Sequence, residues 1–413
     1  AFEPAAPALS RVDALCGMAR DLISNRGEAS GVAIATDLLR SYDAAGKDER
    51  AEFFLALSRD FNPDRTTLDA AWARFQVEGW AAHPVLASAI EAPRQELFRR
   101  LNLAPGGTAA LVRMREDLLG MRGQPGVALA EADLAHLLQS WFNRGFLSMR
   151  AISWSSPASL LERVIRYEAV HDIRDWTDLR SRLDPPDRRC YAFFHPAIPD
   201  DPLIFVEVAL TREVPGSIQA LLAPDRVPLA NADATTAVFY SISNCQPGLR
   251  GISFGHFLIK QVATDLKREI PTLERFVTLS PIPGFMGWLR DRDAELAGQA
   301  GADAEAQRGQ LLAQAVRYFL DAKDGEGRPI DPVARFHLGN GARLERLNWM
   351  GDTSPKGLRQ SAGMMVNYLY DLPAIEELHE RFANHGSIAT GKPIRQLISS
   401  LNAGDTKLME RHG

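Results

Sequence analysis

The spacing of apolar residues changes near residue 143, and this change constrains the fold more than any other feature of the chain. Before it, apolar residues recur three and four positions apart, as in amphipathic helices; examples are SGVAIATDLLRSY, ERAEFFLALSRDF and ALAEADLAHLLQSWF. After it come short runs rich in Val, Ile, Phe and Tyr, bounded by Pro, Asp and Asn, which is typical of strands: CYAFFHP, PLIFVEVALT, TAVFYSIS and RFVTLS. Helical segments lie between these runs. We therefore predict an all-helical domain over residues 1–142 and a mixed α/β domain over residues 143–413.

Bulk properties exclude several classes of protein. A chain of 413 residues is too long for one hydrophobic core, which agrees with two domains. The net charge of −5 argues against a nucleic-acid partner. The cysteines (Cys16, Cys190 and Cys245) are far apart and lack metal-site spacing, so we expect reduced thiols and no metal site. No signal peptide opens the chain, and no apolar run approaches the roughly 20 residues that cross a bilayer, so we expect a cytoplasmic protein with no membrane partner. The helical domain favours a homo-oligomer.

GISFG, residues 251–255, matches the G-x-S-x-G turn that presents the nucleophile of α/β-hydrolases. In that turn the strand leads directly into the serine. Here the loop NCQPGLRG separates the strand TAVFYSIS from Ser253. A serine hydrolase or thioesterase that uses Ser253 is therefore an alternative rather than the first hypothesis.

The same segment favours a phosphate site. A glycine-containing turn with Arg250 leads into a long helix, so backbone N–H groups and the positive end of the helix dipole are available to an anion. Arg250 adds a charge-assisted donor for phosphate oxygens. The segment lacks the Lys-Ser/Thr ending of a P-loop, so its spacing also fits a plain connection.

Ser280 and His337 are further candidates. FVTLSPIPGF runs a strand up to Ser280 and stiffens the next turn with Pro281, Pro283 and Gly284; this either presents the serine at a site or simply starts a helix. ARFHLGNGA places His337 before a helix-stopping Gly-Asn-Gly. An imidazole can donate or accept a proton near neutral pH, although a lone histidine can equally be structural.

Taken together, these stretches resemble the malonyl-CoA decarboxylase family. The matching segments are colinear through the C-terminal two-thirds of the chain: SPASLLERVIRYEAVHDIRDWTDLRSRL, DRRCYAFFHP, PLIFVEVALT, FYSISNCQPGLRGISFGHFLIKQV, FVTLSPIPGF, VARFHLGNGARLERLNWMGD and GMMVNYLY. The resemblance implies a helical N-terminal bundle associated with oligomerisation, followed by a GNAT-like (acetyltransferase-type) α/β catalytic domain.

The resemblance also implies a binding site for coenzyme A. The CoA-binding loop would consist of Arg250, Gly251, Ile252, Ser253, Phe254, Gly255 and His256. Some family members carry a glutamate at the position of Ser253. Which group orients His337 in this chain is therefore left open.

The activity implied is decarboxylation of malonyl-CoA to acetyl-CoA and CO₂. Ser280 and His337 match the family's catalytic residues: Ser280 would orient the malonyl carboxylate, and His337 would protonate the enolate. Tyr370 would help to place the imidazole, and Asn348 is a further candidate hydrogen-bonding partner. The thioester is its own electron sink, so no cofactor is expected. The alternatives are a GNAT-type CoA-dependent acyltransferase and a CoA-responsive binding protein on the same fold.

Overall fold

The computed structural model describes residues 10–24, 28–252 and 258–402. The chain divides into two compact units. The helical unit comprises residues 1–148, 194–202 and 246–254, and the sheet unit comprises residues 149–193, 203–245 and 255–413. The domain boundary between residues 142 and 143 stays a prediction.

The helical unit is helical as predicted, and in the described residues it also has helices outside the segments that the three-and-four spacing picked out, namely the first and the fifth. Its helices are α1 (Arg11–Ile23), α2 (Glu28–Asp43), α3 (Lys47–Asp60), α4 (Arg65–Glu78), α5 (His83–Ile90), α6 (Pro93–Asn102), α7 (Gly107–Gly120) and α8 (Ala128–Trp141). Ser10 and Asp64 accept backbone N–H groups and so fix the starts of α1 and α4. Tyr42, Phe53 and Phe54 are buried against one another in its core.

The sheet unit is organised around a mixed sheet. Its strands in the described residues are β1 (Ser148–Ile152), β2 (Arg188–Phe194), β3 (Ile204–Thr211), β4 (Thr236–Asn244), β5 (Arg275–Thr278), β6 (Ser280–Pro281), β7 (Arg343–Asn348) and β8 (Met365–Tyr370). The strand order is β1-β2-β3-β4-β5-β8-β6, and β7 also pairs with β8. Strands β4 and β5 are parallel, whereas β3 with β4 and β8 with β5, β6 and β7 are antiparallel.

Helices connect and cover these strands. They are α9 (Ala158–Tyr167), α10 (Trp176–Leu183), α11 (Ile218–Leu221), α12 (Leu258–Glu269), α13 (Phe285–Arg292), α14 (Ala294–Ala302), α15 (Arg308–Leu320), α16 (Pro332–Gly339), α17 (Pro355–Ser361), α18 (Ile375–His385) and α19 (Lys392–Asn402). A parallel pair needs a crossover connection, and α12 lies in the connection between β4 and β5. Leu258, Val262 and Leu266, spaced four residues apart on one face of α12, are buried.

The predicted architecture, an N-terminal helical region followed by a domain of mixed sheet and helices, is confirmed, and the GNAT-like character of the second domain stays a prediction. One irregularity of the sheet concerns the candidate site. Glu207 pairs with Ser241, but the next residue, Val208, pairs with Phe239, so Tyr240 forms a β-bulge in β4.

Candidate active site

Ser280 lies in the two-residue strand β6, which is separated from the end of β5 by a single residue. It pairs with Val366 of β8 and is only 5% exposed. Its Oγ donates a hydrogen bond to Thr278 Oγ1 at 2.9 Å, and Oγ lies 3.2 Å from His337 Nε2. Ser280 has a single hydroxyl hydrogen, which goes to Thr278, so Oγ accepts from the imidazole.

His337 is carried by the last turn of α16. Asp331 caps this helix by accepting from the N–H groups of Val333 and Ala334, and Pro332 occupies the first turn, where its missing N–H costs nothing. The imidazole is buried and stacks on the Tyr368 ring, with centroids 4.6 Å apart. A short, capped helix therefore holds the ring against Ser280.

Tyr370 contacts the other side of the imidazole. Its hydroxyl lies 2.8 Å from His337 Nδ1, and burial raises the pKa of this phenol well above its usual value. The phenol is therefore neutral and donates to Nδ1. The hydrogen bonds run in one direction, from Tyr370 to His337 to Ser280 to Thr278, and the imidazole carries its hydrogen on Nε2.

Burial also controls the charge of the imidazole. It lowers the pKa of His337 from 6.5 to about 3, because a charged ring would lose its hydration in this apolar surrounding. The neighbouring phenols and hydroxyls are neutral and do not offset that loss. The ring is therefore uncharged near pH 7.

A cavity of about 340 Å³ opens on the Ser280–His337 pair within the sheet unit. Its lining is mostly apolar and consists of Val170, Phe239, Tyr240, Ile242, Asn244, Ser280, Pro281, Pro332, Val333, Phe336 and His337. The bulge residue Tyr240 and the strand residues after it thus supply one wall. A cavity with an apolar lining and few polar groups is typical of a small-molecule site.

Thr278 is a residue of this site that the sequence analysis missed. It is fully buried, and its Oγ1 accepts from the Tyr368 N–H at 3.1 Å as well as from Ser280. Asn367 donates to its carbonyl at 2.7 Å. Alternate residues of a strand share a face, so a hydroxyl two residues before Ser280 was a readable signal.

Asn348 does not bond to the imidazole. Its Nδ2 donates to Asn367 at 2.8 Å, and its Oδ1 accepts from Arg346 Nε at 2.8 Å. The two ring nitrogens of His337 have Ser280 and Tyr370 as partners instead.

The predicted CoA loop is described only in part. Pro247–Leu249 forms a 3-10 turn, Arg250 is exposed and Ile252 is buried. Gly251 has a φ of +80°, a left-handed conformation that favours glycine. Ser253, Phe254, Gly255 and His256 lie outside the described residues, and with them the hydrolase alternative based on Ser253.

Family models match most of the chain. The model for the malonyl-CoA decarboxylase N-terminal domain matches residues 61–142, and the model for the C-terminal domain matches residues 145–307 and 297–408. The chain belongs to the malonyl-CoA decarboxylase family.

Similarity to curated relatives and to a solved structure supports this family assignment. The chain is 38% identical to the mitochondrial malonyl-CoA decarboxylase of Anser anser anser, in a match that covers 67% of this chain. It is 36% identical to the mitochondrial malonyl-CoA decarboxylase of Rattus norvegicus, in a match that covers 74% of this chain. The match spans 63% of the Anser protein and 71% of the Rattus protein. The crystal structure of malonyl-CoA decarboxylase from Rhodopseudomonas palustris is 52% identical, with a TM-score of 0.88, covering 93% of this chain and 99% of that one.

Two further observations concern location and metals. In the part of the chain that the structure describes, no helix is both long and apolar enough to cross a membrane. The same residues include no group of three or more His, Cys, Asp or Glu side chains arranged to hold a metal ion. The curated relatives of this family are mitochondrial by name, so the cytoplasmic location stays a prediction.

Proposed function

We propose that the protein decarboxylates malonyl-CoA to acetyl-CoA and CO₂. The observation that carries this proposal is the buried Ser280–His337 pair at the wall of an apolar cavity, in a chain of the malonyl-CoA decarboxylase family. The relatives carry this activity in their names.

The chemistry asks little of the protein beyond positioning. When the C–C bond to the carboxylate breaks, its electron pair moves into the thioester carbonyl and gives an enolate, while CO₂ leaves. The enolate carbon then takes one proton to become acetyl-CoA. The protein must hold the carboxylate out of the thioester plane, stabilise the enolate oxygen and supply that proton.

In this proposal Ser280 hydrogen-bonds the malonyl carboxylate and fixes its orientation. The hydroxyl turns from Thr278 to the substrate, and Thr278, whose own hydroxyl can donate, replaces the bond by donating to Ser280 Oγ. The apolar lining removes water from the carboxylate, which strengthens the few polar contacts that remain.

His337 protonates the enolate carbon from Nε2. The neutral ring must first take up a proton at Nδ1, where the Tyr370 hydroxyl then changes from donor to acceptor, and an anionic substrate next to the ring favours this uptake by raising the pKa of His337. One proton enters from solvent and leaves in the acetyl group, so charge and atoms balance. Tyr370 holds Nδ1 and keeps Nε2 toward Ser280.

The remaining parts of the proposal concern binding and assembly. Residues 250–256 bind the CoA diphosphate, and no cofactor or metal takes part because the thioester accepts the electrons.

The chain forms homo-oligomers through its helical region, where Val77 and Trp80 are 86% and 80% exposed. Light scattering at several protein concentrations tests the last point.

The experiment that tests the activity is product analysis. Purified protein is treated with EDTA and given malonyl-CoA alone, and CO₂ and acetyl-CoA are followed together. Equal release of both supports the proposal. Free CoA with malonate would indicate a thioesterase instead, and absence of turnover with tight CoA binding would indicate an acyltransferase or a CoA sensor.

A further inference from the structure

Arg115, on α7 of the helical unit, contacts the loop that follows β4. Its guanidinium is only 3% exposed. Nη1 donates to the carbonyl of Gly248 at 2.6 Å and to the carbonyl of Arg250 at 2.9 Å, while Nη2 pairs with Glu131 at 2.9 Å. One buried side chain of α7 thus binds two carbonyl groups of a loop that lies 133 and 135 residues further along the chain.

The loop is shaped to receive this contact. A Cβ atom on Gly248 would lie 1.9 Å from the Val112 carbonyl oxygen, a distance that no side chain tolerates. Gly248 therefore allows the loop to lie directly on the backbone of α7, one turn before Arg115. Glu131 of α8 holds the far side of the guanidinium, so the arginine has little freedom to move.

The bond to Arg250 also sets the direction of the next amide. A trans peptide is planar, and its C=O and N–H point in opposite directions. Because the Arg250 carbonyl is drawn toward Arg115, the Gly251 N–H points away from α7. That N–H donates to no acceptor among the residues that the structure describes. A backbone donor of this kind suits an anion.

We infer that Arg115 is a positioning residue for CoA binding: it shapes residues 248–251 so that the Gly251 N–H and the exposed Arg250 side chain are presented to the diphosphate. This inference rests on the proposed function, since it takes the ligand to be a CoA ester. It gives helix α7 a part in substrate binding through the loop that it holds, which neither the helix pattern nor the family names assign to it.

The test compares Arg115→Met with Arg113→Met. Met keeps most of the volume of the buried side chain but removes its donors, and the partly exposed Glu131 retains Arg122 at 3.8 Å as a partner. Arg113 lies on the same helix but pairs at the surface with Asp43, so its variant removes the same charge without touching the loop. Free CoA is titrated by calorimetry, and turnover is measured with malonyl-CoA and with malonyl-pantetheine, which has the thioester but no phosphates.

We expect Arg115→Met to weaken CoA binding about tenfold, the loss of roughly one hydrogen bond to a charged group. KM for malonyl-CoA should rise with kcat retained, while malonyl-pantetheine is turned over as by the wild type; Arg113→Met should change neither. Unchanged CoA affinity in Arg115→Met would overturn the inference, as would a proportional loss with malonyl-pantetheine, which would indicate general damage.

If Arg115→Met does not fold, Arg115→Lys takes its place. Lysine keeps the positive charge and most of the aliphatic part of the side chain. Its single ammonium group cannot bind the two loop carbonyls and the Glu131 carboxylate in the geometry of the guanidinium, so CoA binding should weaken several-fold. Calorimetry needs no turnover. A wild-type protein that binds CoA without decarboxylating malonyl-CoA would therefore refute the proposed function and leave the role of Arg115 to be judged by affinity.

Discussion

Gly284 lies against Tyr318 so closely that a Cβ atom at Gly284 would be 2.3 Å from the tyrosine hydroxyl oxygen. That hydroxyl donates to Asp331 at 3.0 Å, and Asp331 caps the helix that carries His337. The turn after Ser280 is thus packed on the group that starts the His337 helix. This explains the stiff Pro-Ile-Pro-Gly stretch, because its path fixes how the serine and the histidine meet.

We predict that Gly284→Ala lowers both stability and turnover. The added methyl group must displace Tyr318 or the turn, and overpacking of this kind costs about 1–3 kcal/mol in the free energy of unfolding. A shift of the turn also moves Ser280 relative to His337, so kcat should fall by about tenfold or more. Urea unfolding and steady-state kinetics measure the two effects.

Gly287→Ala is the matched control. Gly287 lies in α13, and a Cβ atom added there would meet nothing within 4 Å, so alanine should be neutral or stabilise the helix. If Gly284→Ala behaved like Gly287→Ala, the contact with Tyr318 would not control the site.

Ser280→Ala should lower kcat by about 10²-fold while KM for malonyl-CoA changes little. The variant lacks the hydroxyl that, in the proposed mechanism, donates a hydrogen bond to the malonyl carboxylate and orients it for the loss of CO₂. Ser361→Ala provides the comparison: Ser361 is equally buried but donates to the carbonyls of Gly357 and Met364, outside the cavity. That variant should lose about 1 kcal/mol of stability and keep its kcat. Near-normal turnover by Ser280→Ala would remove Ser280 from the reaction.

Part of this site could be predicted from the sequence and part could not. A strand that ends at a serine and a histidine before Gly-Asn-Gly are local patterns, and the family resemblance joined them although they lie 57 residues apart. Asp331 was also readable, since Asp before Pro is a helix-start signal. Arg115 was not: in TAALVRMREDLLG it is one of several helix-forming residues, and only tertiary packing gives it a buried position.

Tyr370→Phe should lower kcat by about tenfold with little change in KM. The variant keeps the ring but removes the donor to His337 Nδ1, which leaves a buried acceptor unpaired and frees the tautomer. Tyr368→Phe is a stringent control, because Tyr368 stacks on the same imidazole while its buried hydroxyl has no hydrogen-bond partner among the described residues. Steady-state kinetics of both variants test this prediction. Equal losses of kcat in the two variants would mean that the hydrogen bond from the Tyr370 hydroxyl to His337 does not contribute to turnover.

The lowered pKa of His337 leads us to predict how the free energy of unfolding depends on pH. Burial lowers this pKa from 6.5 to about 3, so between these values the unfolded chain binds a proton at this ring and the folded chain does not. The free energy of unfolding should therefore fall as pH decreases from 6.5 toward 3, by up to about 1.4 kcal/mol per pH unit from this group alone. His337→Asn removes the titrating group, so its stability should decline less steeply over the same range.

Urea unfolding at several pH values between 4 and 7 measures that slope, with His136→Asn, an exposed histidine of α8, as the control that should match the wild type. Some slope should remain in His337→Asn, because burial also lowers the pKa of His171 to about 4. Equal slopes for His337→Asn and wild type would mean that His337 is protonated in the folded protein at these pH values. In that case the ring would already carry the proton that it delivers to the enolate, and substrate binding would not need to bring one in.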